Sequence, residues 1–275
     1  HEETGLLIPA RDPDALADKL ACHARFSAAR LPQPRILAVA TADKPVTGED
    51  WLSSPAATLA FLARPGTLPC FGKPVHGSQA VGGVSIVEQA GPGKLRLGNG
   101  HEVEASDLVA EIWRSHARGF MFQELVRPHR DLEALIGPTI GSVRFVTTLA
   151  GAEPEVLYAV LRAPAAGSMV DSNAGLLGSY VAVDAGTGTV IRAQDRRKIG
   201  GASLEKSIVT GAIWRGAQLP DFGPALALAR AAHAAFPEQG ICGSDIFLSD
   251  RGPLITETNG NPHHSCYQEA HLRGM

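Results

Sequence analysis

Two carboxylates and an amide lie close together in the last part of the sequence, where they could bind a divalent cation. Asp245 lies in an apolar stretch, a turn is expected at 250–252, and Glu257 and Asn259 lie in the apolar stretch that follows. Alternate residues of a strand share a face, so Glu257 and Asn259 point the same way, and the turn brings Asp245 beside them. Oxygen ligands of this kind suit Mg²⁺. A hairpin whose polar face lies in water is the alternative interpretation.

A lysine followed by a glycine-bearing segment provides a second chemical pattern. Lys73 ends a short strand pattern, and the small residues of 77–83 follow, with Ser78, Gln79 and Ala80 among them. Backbone N–H groups of such a loop can surround phosphate oxygens, and the lysine adds a positive charge. The lysine precedes the glycines, so the pattern is neither a Walker loop nor a dinucleotide fingerprint. A plain hairpin with a surface lysine is the alternative.

A third pattern is the polar end of an apolar strand at 119–126. Gln123 and Glu124 stand there before Leu125. We interpret this end as a hinge whose backbone could form hydrogen bonds with the edge of a purine. An ordinary strand terminus is the alternative, because strand ends are commonly polar.

Hydrophobic periodicity and turn residues predict the elements that must position these side chains. The patterns predict helices at 14–30, 49–63, 106–118 and 220–236, strands at 35–41, 68–74, 80–88, 119–126, 141–150, 155–162, 179–184, 189–193, 240–249 and 253–258, and a turn at 91–100. Strands and helices are mixed and hairpins are common. The fold class is therefore predicted to be α+β, in lobes, rather than one doubly wound parallel sheet.

Composition excludes several classes of protein. The chain has 275 residues and a net charge of −3, so nucleic acid is not a favoured partner. No apolar run reaches the roughly 20 residues that a membrane-spanning helix needs. Cys22, Cys70, Cys242 and Cys266 lack zinc-ligand spacing. We expect them to be reduced, buried thiols of a cytoplasmic protein. The start at His1 is interpreted as a processed or trimmed end.

In their order along the chain, these patterns resemble the ATP-grasp superfamily. A phosphate-loop lysine comes first, a strand ending in Gln-Glu follows, and a late Asp and a Glu-x-Asn close the set. The phosphate loop is similar to the D-alanine–D-alanine ligase type, and the segments around Arg144 and at 245–261 resemble the sugar-transfer-associated group. The resemblance covers about residues 17–261. It implies an ATP-grasp fold with two α+β lobes that bind ATP between them.

The resemblance also implies a division of the chain and roles for its nucleotide-binding residues. We expect the N-terminal helix and the start of the core at 1–66, a small lobe with the phosphate loop at 67–126, and a large lobe with the metal site at 127–275. The residues expected to bind ATP are Lys19 and Lys73 at the phosphates, Ser78, Gln79 and Ala80 above them, Gln123, Glu124 and Leu125 at the adenine, and Asp131 at the ribose. Lys19 could equally be a solvated helix lysine, and His129 or Glu133 could replace Asp131.

The resemblance implies that Mg²⁺ is held by Asp245, Glu257 and Asn259, with Glu257 bridging two ions. Arg144, a charge inside a strand pattern, is implied to face the transferred phosphate or the substrate acid, which its fork of donors suits. Amino-acid ligases of the superfamily often carry an arginine two residues before the first metal Asp, where this chain has Gly243. Two interpretations are open: Arg144 compensates for the missing arginine, or the acyl-phosphate chemistry differs.

Two further segments carry weaker predictions. Lys198 could reach the γ-phosphate, or it could belong to a solvated basic run at 196–198. Residues 171–175 could form a substrate loop or a plain turn. The N-terminal domain with which many relatives bind the acid is missing from the sequence, so we expect that it was trimmed or that the acid binds elsewhere.

The function implied by the resemblance is that of an ATP-dependent carboxylate–amine ligase with ATP and Mg²⁺ as cofactors. It would activate a small-molecule carboxylate as an acyl phosphate and join it to an amine, with Arg144 and Lys198 as catalytic residues. Its partners would be a small-molecule acid and an amine, with neither nucleic acid nor a membrane. A small-molecule kinase acting on a hydroxyl and a nucleotide-binding module without turnover are the alternatives. The sequence leaves the two substrates and the oligomeric state open.

Overall fold

Local capping signals set where the helices of the chain begin. The computed structural model describes residues 16–45, 49–77, 81–170, 178–196 and 201–274. The first helix, α1, spans Lys19–Ala28, and the Asp18 carboxylate caps it by accepting hydrogen bonds from the backbone N–H groups of the second and third helical residues. Helix α2 spans Pro55–Ala63 and starts with Ser54 as its cap and proline in the first turn, where a missing N–H costs nothing.

The other helices are α3 (Ala105–Ser115), α4 (Arg130–Ile136), α5 (Phe222–Ala234) and α6 (Ser265–His271). The strands are β1 (Ile36–Ala40), β2 (Asp50–Leu52), β3 (Cys70–Pro74), β4 (Val84–Gly91), β5 (Lys94–Leu97), β6 (Glu102–Glu104), β7 (Phe120–Glu124), β8 (Ser142–Thr148), β9 (Glu155–Ala163), β10 (Ser179–Val183), β11 (Val190–Asp195), β12 (Ser203–Leu204), β13 (Ile241–Ser249) and β14 (Gly252–Asn259). None of the described helices is long and apolar enough to cross a membrane.

The chain divides into two compact units, which we call the large unit and the small unit. The described residues of the large unit lie within 16–33, 126–166 and 178–274, and those of the small unit lie within 34–125 and 167–170. The sequence-based division at residues 66 and 126 stays a prediction.

The small unit is built on a sheet of seven strands in the order β2-β1-β7-β3-β4-β5-β6. Helices α2 and α3 cover one face through an apolar cluster that includes Phe61, Ile112 and Phe122. Gly72 in β3 permits this packing, because a Cβ atom there would lie 2.5 Å from the ring of Phe120. Lys73, the next residue of β3, points to the opposite face of the sheet, because successive residues of a strand alternate between its faces.

The large unit is built on a second sheet of seven strands in the order β12-β11-β10-β9-β8-β13-β14. All of its neighbouring strands pair antiparallel. One face packs against α1, α4 and α5 through the largest apolar cluster, and the other face carries a smaller cluster with α6. The four cysteines are buried and free, as expected for reduced thiols.

Two of the sequence-based elements are wrong. The helix predicted from residue 49 is a strand at first, because 50–52 pair in parallel with β1 and Pro55 restricts the helix to a later start. The turn predicted at 91–100 contains β5, in which Leu95 is fully buried between exposed neighbours. The short helices α4 and α6 are absent from the sequence-based prediction.

His233 is a fully buried polar residue of α5 with a defined tautomer. Its Nε2 lies 2.8 Å from the carbonyl oxygen of Gln239, which can only accept, so Nε2 carries the proton. Its Nδ1 then accepts from the hydroxyl of Thr147 at 2.7 Å. Burial lowers the pKa of His233 below its ordinary value, so the neutral imidazole is the folded form.

The protein is therefore expected to lose stability as the pH falls, because the unfolded chain binds a proton at His233 that the folded chain resists. Between pH 6.5 and 5.5, the wild type should lose up to about 1 kcal/mol more of its free energy of unfolding than His233→Gln does. Urea unfolding at both pH values measures this difference, and the other histidines, present in both proteins, cancel. Equal losses in the two proteins would contradict a neutral, buried His233.

Candidate functional site

The hairpin of β13 and β14 gathers the predicted metal ligands on one face of the large sheet. Asp245 lies directly opposite Glu257, and Asn259 lies opposite Gly243, two positions further along the hairpin. A β-bulge follows Asp245 and allows Ile255 to face the apolar cluster on the other side although it is only two residues before Glu257. The amide of Asn259 donates to Glu257 Oε1 at 3.3 Å. This bulge cannot be predicted from the alternation of apolar and polar residues in the sequence.

Arg144 of β8 lies opposite Asp245 on the other side of β13 and binds it with two parallel hydrogen bonds. Nε donates to Oδ1 at 2.5 Å, and Nη2 donates to Oδ2 at 2.8 Å. Nη1 donates to the carbonyl oxygen of Pro262 at 3.0 Å. With Asp245 1% exposed and Arg144 5% exposed, this is a buried bidentate ion pair.

A second arginine, Arg162 of β9, binds the same carboxylate. Its Nη2 donates to Asp245 Oδ2 at 2.6 Å, and its Nε and Nη2 donate to Ser142 Oγ at 2.9 and 2.7 Å. In the sequence, Arg144 is recognisable as a charge within an apolar strand pattern, whereas Arg162 is not among the predicted site residues. The same signal was available, because Arg162 is the charged, penultimate residue of the largely apolar strand β9.

The two guanidinium groups decide the charge of Asp245. Burial opposes ionisation of this carboxyl, but the positive charges of Arg144 and Arg162 outweigh burial and hold its pKa well below the ordinary value. Burial likewise opposes the charge of Arg144, and the Asp245 carboxylate holds the pKa of Arg144 above its ordinary value. The cluster is therefore ionised at neutral pH.

Gly243 makes room for the side chain of Arg144. A Cβ atom at this position would lie 3.2 Å from Arg144 Cδ and 2.7 Å from Pro262 Cβ. The residue that departs from the amino-acid ligase pattern is thus the one over which Arg144 extends.

The donor set fits a magnesium ion mainly through Glu257 and Asn259. Both side chains are partly exposed and offer oxygen atoms. Asp245 Oδ2 accepts from two guanidinium groups and Oδ1 from one, which leaves Oδ1 one lone pair for a cation. Within the described residues, no group of three or more His, Cys, Asp or Glu side chains could hold a metal. Besides its predicted role as a metal ligand, Asp245 therefore forms hydrogen bonds with Arg144 and Arg162.

The small unit places the predicted nucleotide residues on β3 and β7. Lys73 pairs with Met121, and Gln123 pairs with Phe71, on the sheet face away from the apolar cluster. Glu124 follows Gln123 at the end of β7. Its backbone N–H and its Oε1 are both bonded to the backbone of Arg35, at 3.0 and 2.9 Å. Leu125 follows and is half-buried. The adenine hinge stays a prediction.

The remaining predicted residues are partly covered by the structure. Lys19 is the first residue of α1 and is half-buried. Asp131 is an exposed residue in the first turn of α4, 3.4 Å from Arg130 and 3.7 Å from His129. Ser78, Gln79, Ala80 and Lys198, and the segment 171–175, lie outside the described residues.

Comparison with solved structures defines the class of fold. VanG D-Ala:D-Ser ligase from Enterococcus faecalis is 14% identical, with a TM-score of 0.52 over 90% of this chain and 53% of that chain. N5-carboxyaminoimidazole synthase from Aspergillus clavatus, solved with ADP and 5-aminoimidazole ribonucleotide, is 11% identical, with a TM-score of 0.50 over 100% of this chain and 57% of that one. At such identities the likeness concerns the fold alone, and this chain spans about half the length of these proteins.

The sequence itself gives the family. The model of the sugar-transfer associated ATP-grasp family matches residues 5–275, and the chain belongs to this family. The predicted α+β ATP-grasp fold is confirmed. No curated protein sequence matches the chain.

Replacement of Gly243 by alanine tests whether this glycine is required by Arg144 and Pro262. The added methyl group forces one of them to shift, so we expect Gly243→Ala to lower the free energy of unfolding by about 1–3 kcal/mol. Gly223→Ala is the matched control, because its Cβ meets nothing within 4 Å in α5 and alanine there stabilises by up to about 1 kcal/mol. Urea unfolding compares the two variants, and a Gly243→Ala protein as stable as the wild type would show that the space is not needed.

Proposed function

We propose that this chain is an ATP-dependent ligase that activates a small-molecule carboxylate as an acyl phosphate and joins it to an amine. The observation that carries the proposal is the buried Arg144–Asp245–Arg162 cluster beside Glu257 and Asn259. Two fixed guanidinium groups next to cation-binding oxygens suit a reaction in which anionic groups meet.

The proposed reaction has two steps. A carboxylate oxygen of the acid attacks the γ-phosphorus of ATP, and the bond from that phosphorus to the ADP oxygen breaks. The amine nitrogen then attacks the acyl carbon, loses a proton and displaces phosphate, which leaves an amide. No protein nucleophile is needed, so the residues act by position and charge.

The arginine cluster has a defined part in this chemistry. Arg144 and Arg162 would offset the negative charge of the acid and of the transferred phosphoryl group. Because Asp245, Ser142 and Pro262 already hold both guanidinium groups, little reorganisation is needed when charge develops. This supports Arg144 as catalytic and adds Arg162 beside it.

Nucleotide and metal binding are part of the same proposal. Mg²⁺ held by Glu257 and Asn259, with Asp245, would supply positive charge to the phosphates. The ADP bound by the Aspergillus clavatus synthase supports ATP as the nucleotide substrate here. The residues that we propose for ATP are Lys19, Lys73, Ser78, Gln79, Ala80, Gln123, Glu124, Leu125 and Asp131, with Lys198 at the γ-phosphate.

Glu257→Gln tests the function at the residue that best fits the metal. We expect Mg²⁺-dependent ADP release, measured with panels of acids and amines, to fall by about 100-fold or more, since the variant loses a charged ligand. Glu155→Gln is the control, because Glu155 is an exposed carboxylate at the far end of β9 and should leave the rate unchanged.

The same assay separates the ligase from a kinase. With a ligase, hydroxylamine traps the acyl phosphate as a hydroxamate, and full turnover requires an amine. Phosphorylated product that forms with an alcohol and without any amine would contradict the ligase. Unchanged ADP release in Glu257→Gln would overturn the metal assignment.

A further inference from the structure

A row of paired polar residues extends from the arginine cluster across the large sheet. Ser142 pairs with Arg162, Arg162 with Tyr180, and Tyr180 with Gln194, across β8 to β11. Directly paired residues of antiparallel strands share a face. Tyr180 belongs to the apolar cluster under α6, so the whole set lies on that face. We call these four residues and Arg196, which follows β11, the polar row.

Gln194 is a buried amide whose hydrogen bonds are incomplete. It is 3% exposed, and its Nε2 donates to Ser203 Oγ at 2.7 Å. Its Oε1 is buried and has no hydrogen-bond partner within the described part of the chain. An unpartnered buried acceptor destabilises the folded protein, and a ligand with a hydrogen-bond donor would satisfy it.

Arg196 has a buried donor that lacks an acceptor, which complements the unpartnered acceptor of Gln194. Its backbone N–H donates to Gly178 O at 3.2 Å, which continues the pairing of β11 with β10, and its guanidinium carbon lies 4.0 Å from the centre of the Tyr180 ring. Its Nη1 is buried without a hydrogen-bond partner, and no described carboxylate forms an ion pair with it. Arg196 as a whole is half-buried, but this one nitrogen is enclosed, and a buried donor is normally hydrogen-bonded. An anionic acceptor would satisfy it.

The unpartnered Gln194 Oε1 and Arg196 Nη1 belong to residues that lie close enough for one small molecule to bond to both. Gln194 and Arg196 are two residues apart on the same face, with Cα atoms about 7 Å apart along the strand. One lacks a donor and the other lacks an acceptor, and they do not bond to each other.

We propose that the polar row binds a small acid that carries an N–H or O–H group beside its carboxylate, as amino acids and hydroxy acids do. Gln194 Oε1 accepts from the amino or hydroxyl group, and Arg196 Nη1 donates to the carboxylate. This site goes beyond the proposed ligase activity and does not depend on it. Arg162 belongs to both the polar row and the arginine cluster and connects the two.

The test measures binding of simple acids to the full chain without nucleotide, by calorimetry. The probes are glycine (amino acid), lactate (hydroxy acid), and acetate, which lacks the donor. We expect glycine or lactate to bind at least tenfold more tightly than acetate, and the stronger of the two identifies the donor. Arg196→Gln should weaken binding at least tenfold, and Gln194→Met should remove the preference over acetate.

Arg192→Gln is the matched control, because Arg192 lies on the same strand and should leave binding unchanged. If circular dichroism shows that Gln194→Met does not fold, Gln194→Asn is measured instead. Its shorter side chain withdraws the amide, so it should also lose the preference over acetate. Absence of binding by every acid would overturn the proposal and leave a bridging water as the occupant. Equal binding by Arg196→Gln and Arg192→Gln would also overturn it. Binding of MgADP, titrated separately, reports on the proposed ligase and is independent of these results.

Discussion

The candidate site depends on one buried carboxylate that is held between two guanidinium groups. Asp245 alone would be strongly disfavoured at its depth, and so would either arginine. Together they form an ionised cluster in which Arg144 uses Asp245 and Pro262, and Arg162 uses Asp245 and Ser142. Removal of one partner would leave an uncompensated buried charge. This mutual dependence fixes the side chains before any substrate arrives.

The sequence predicted much of the fold because its signals are local. The alternation in β13 and β14 and the turn between them are each contained in a few neighbouring residues. The strand predicted at 35–41 and the helix predicted at 220–236 are found at 36–40 and 222–234 for the same reason. Residues 50–52 were wrongly predicted to be helical. They form a strand because they pair with β1, and such a pairing between separate segments cannot be recognised from the local sequence.

The spacing of the candidate metal ligands predicted that they share a face, but their contacts could not be predicted. Asp245, Glu257 and Asn259 share a face, as the spacing indicated, although the bulge that achieves this has no sequence signature. Arg162 lies 83 positions from Asp245, so only the strand order of the large sheet brings them together. Gln194 could not be recognised either, because an unpartnered amide oxygen is a property of packing rather than of residue type.

The side chain of Arg144 passes over Gly243, so a side chain of β8 fills the volume above β13 at this point. A side chain at position 243 would compete for that volume with the methylene groups of Arg144 and with Pro262. A larger residue at position 243 is therefore compatible only with a shorter one at position 144. Substitutions at these two positions, although they are far apart in the sequence, should have coupled rather than additive effects.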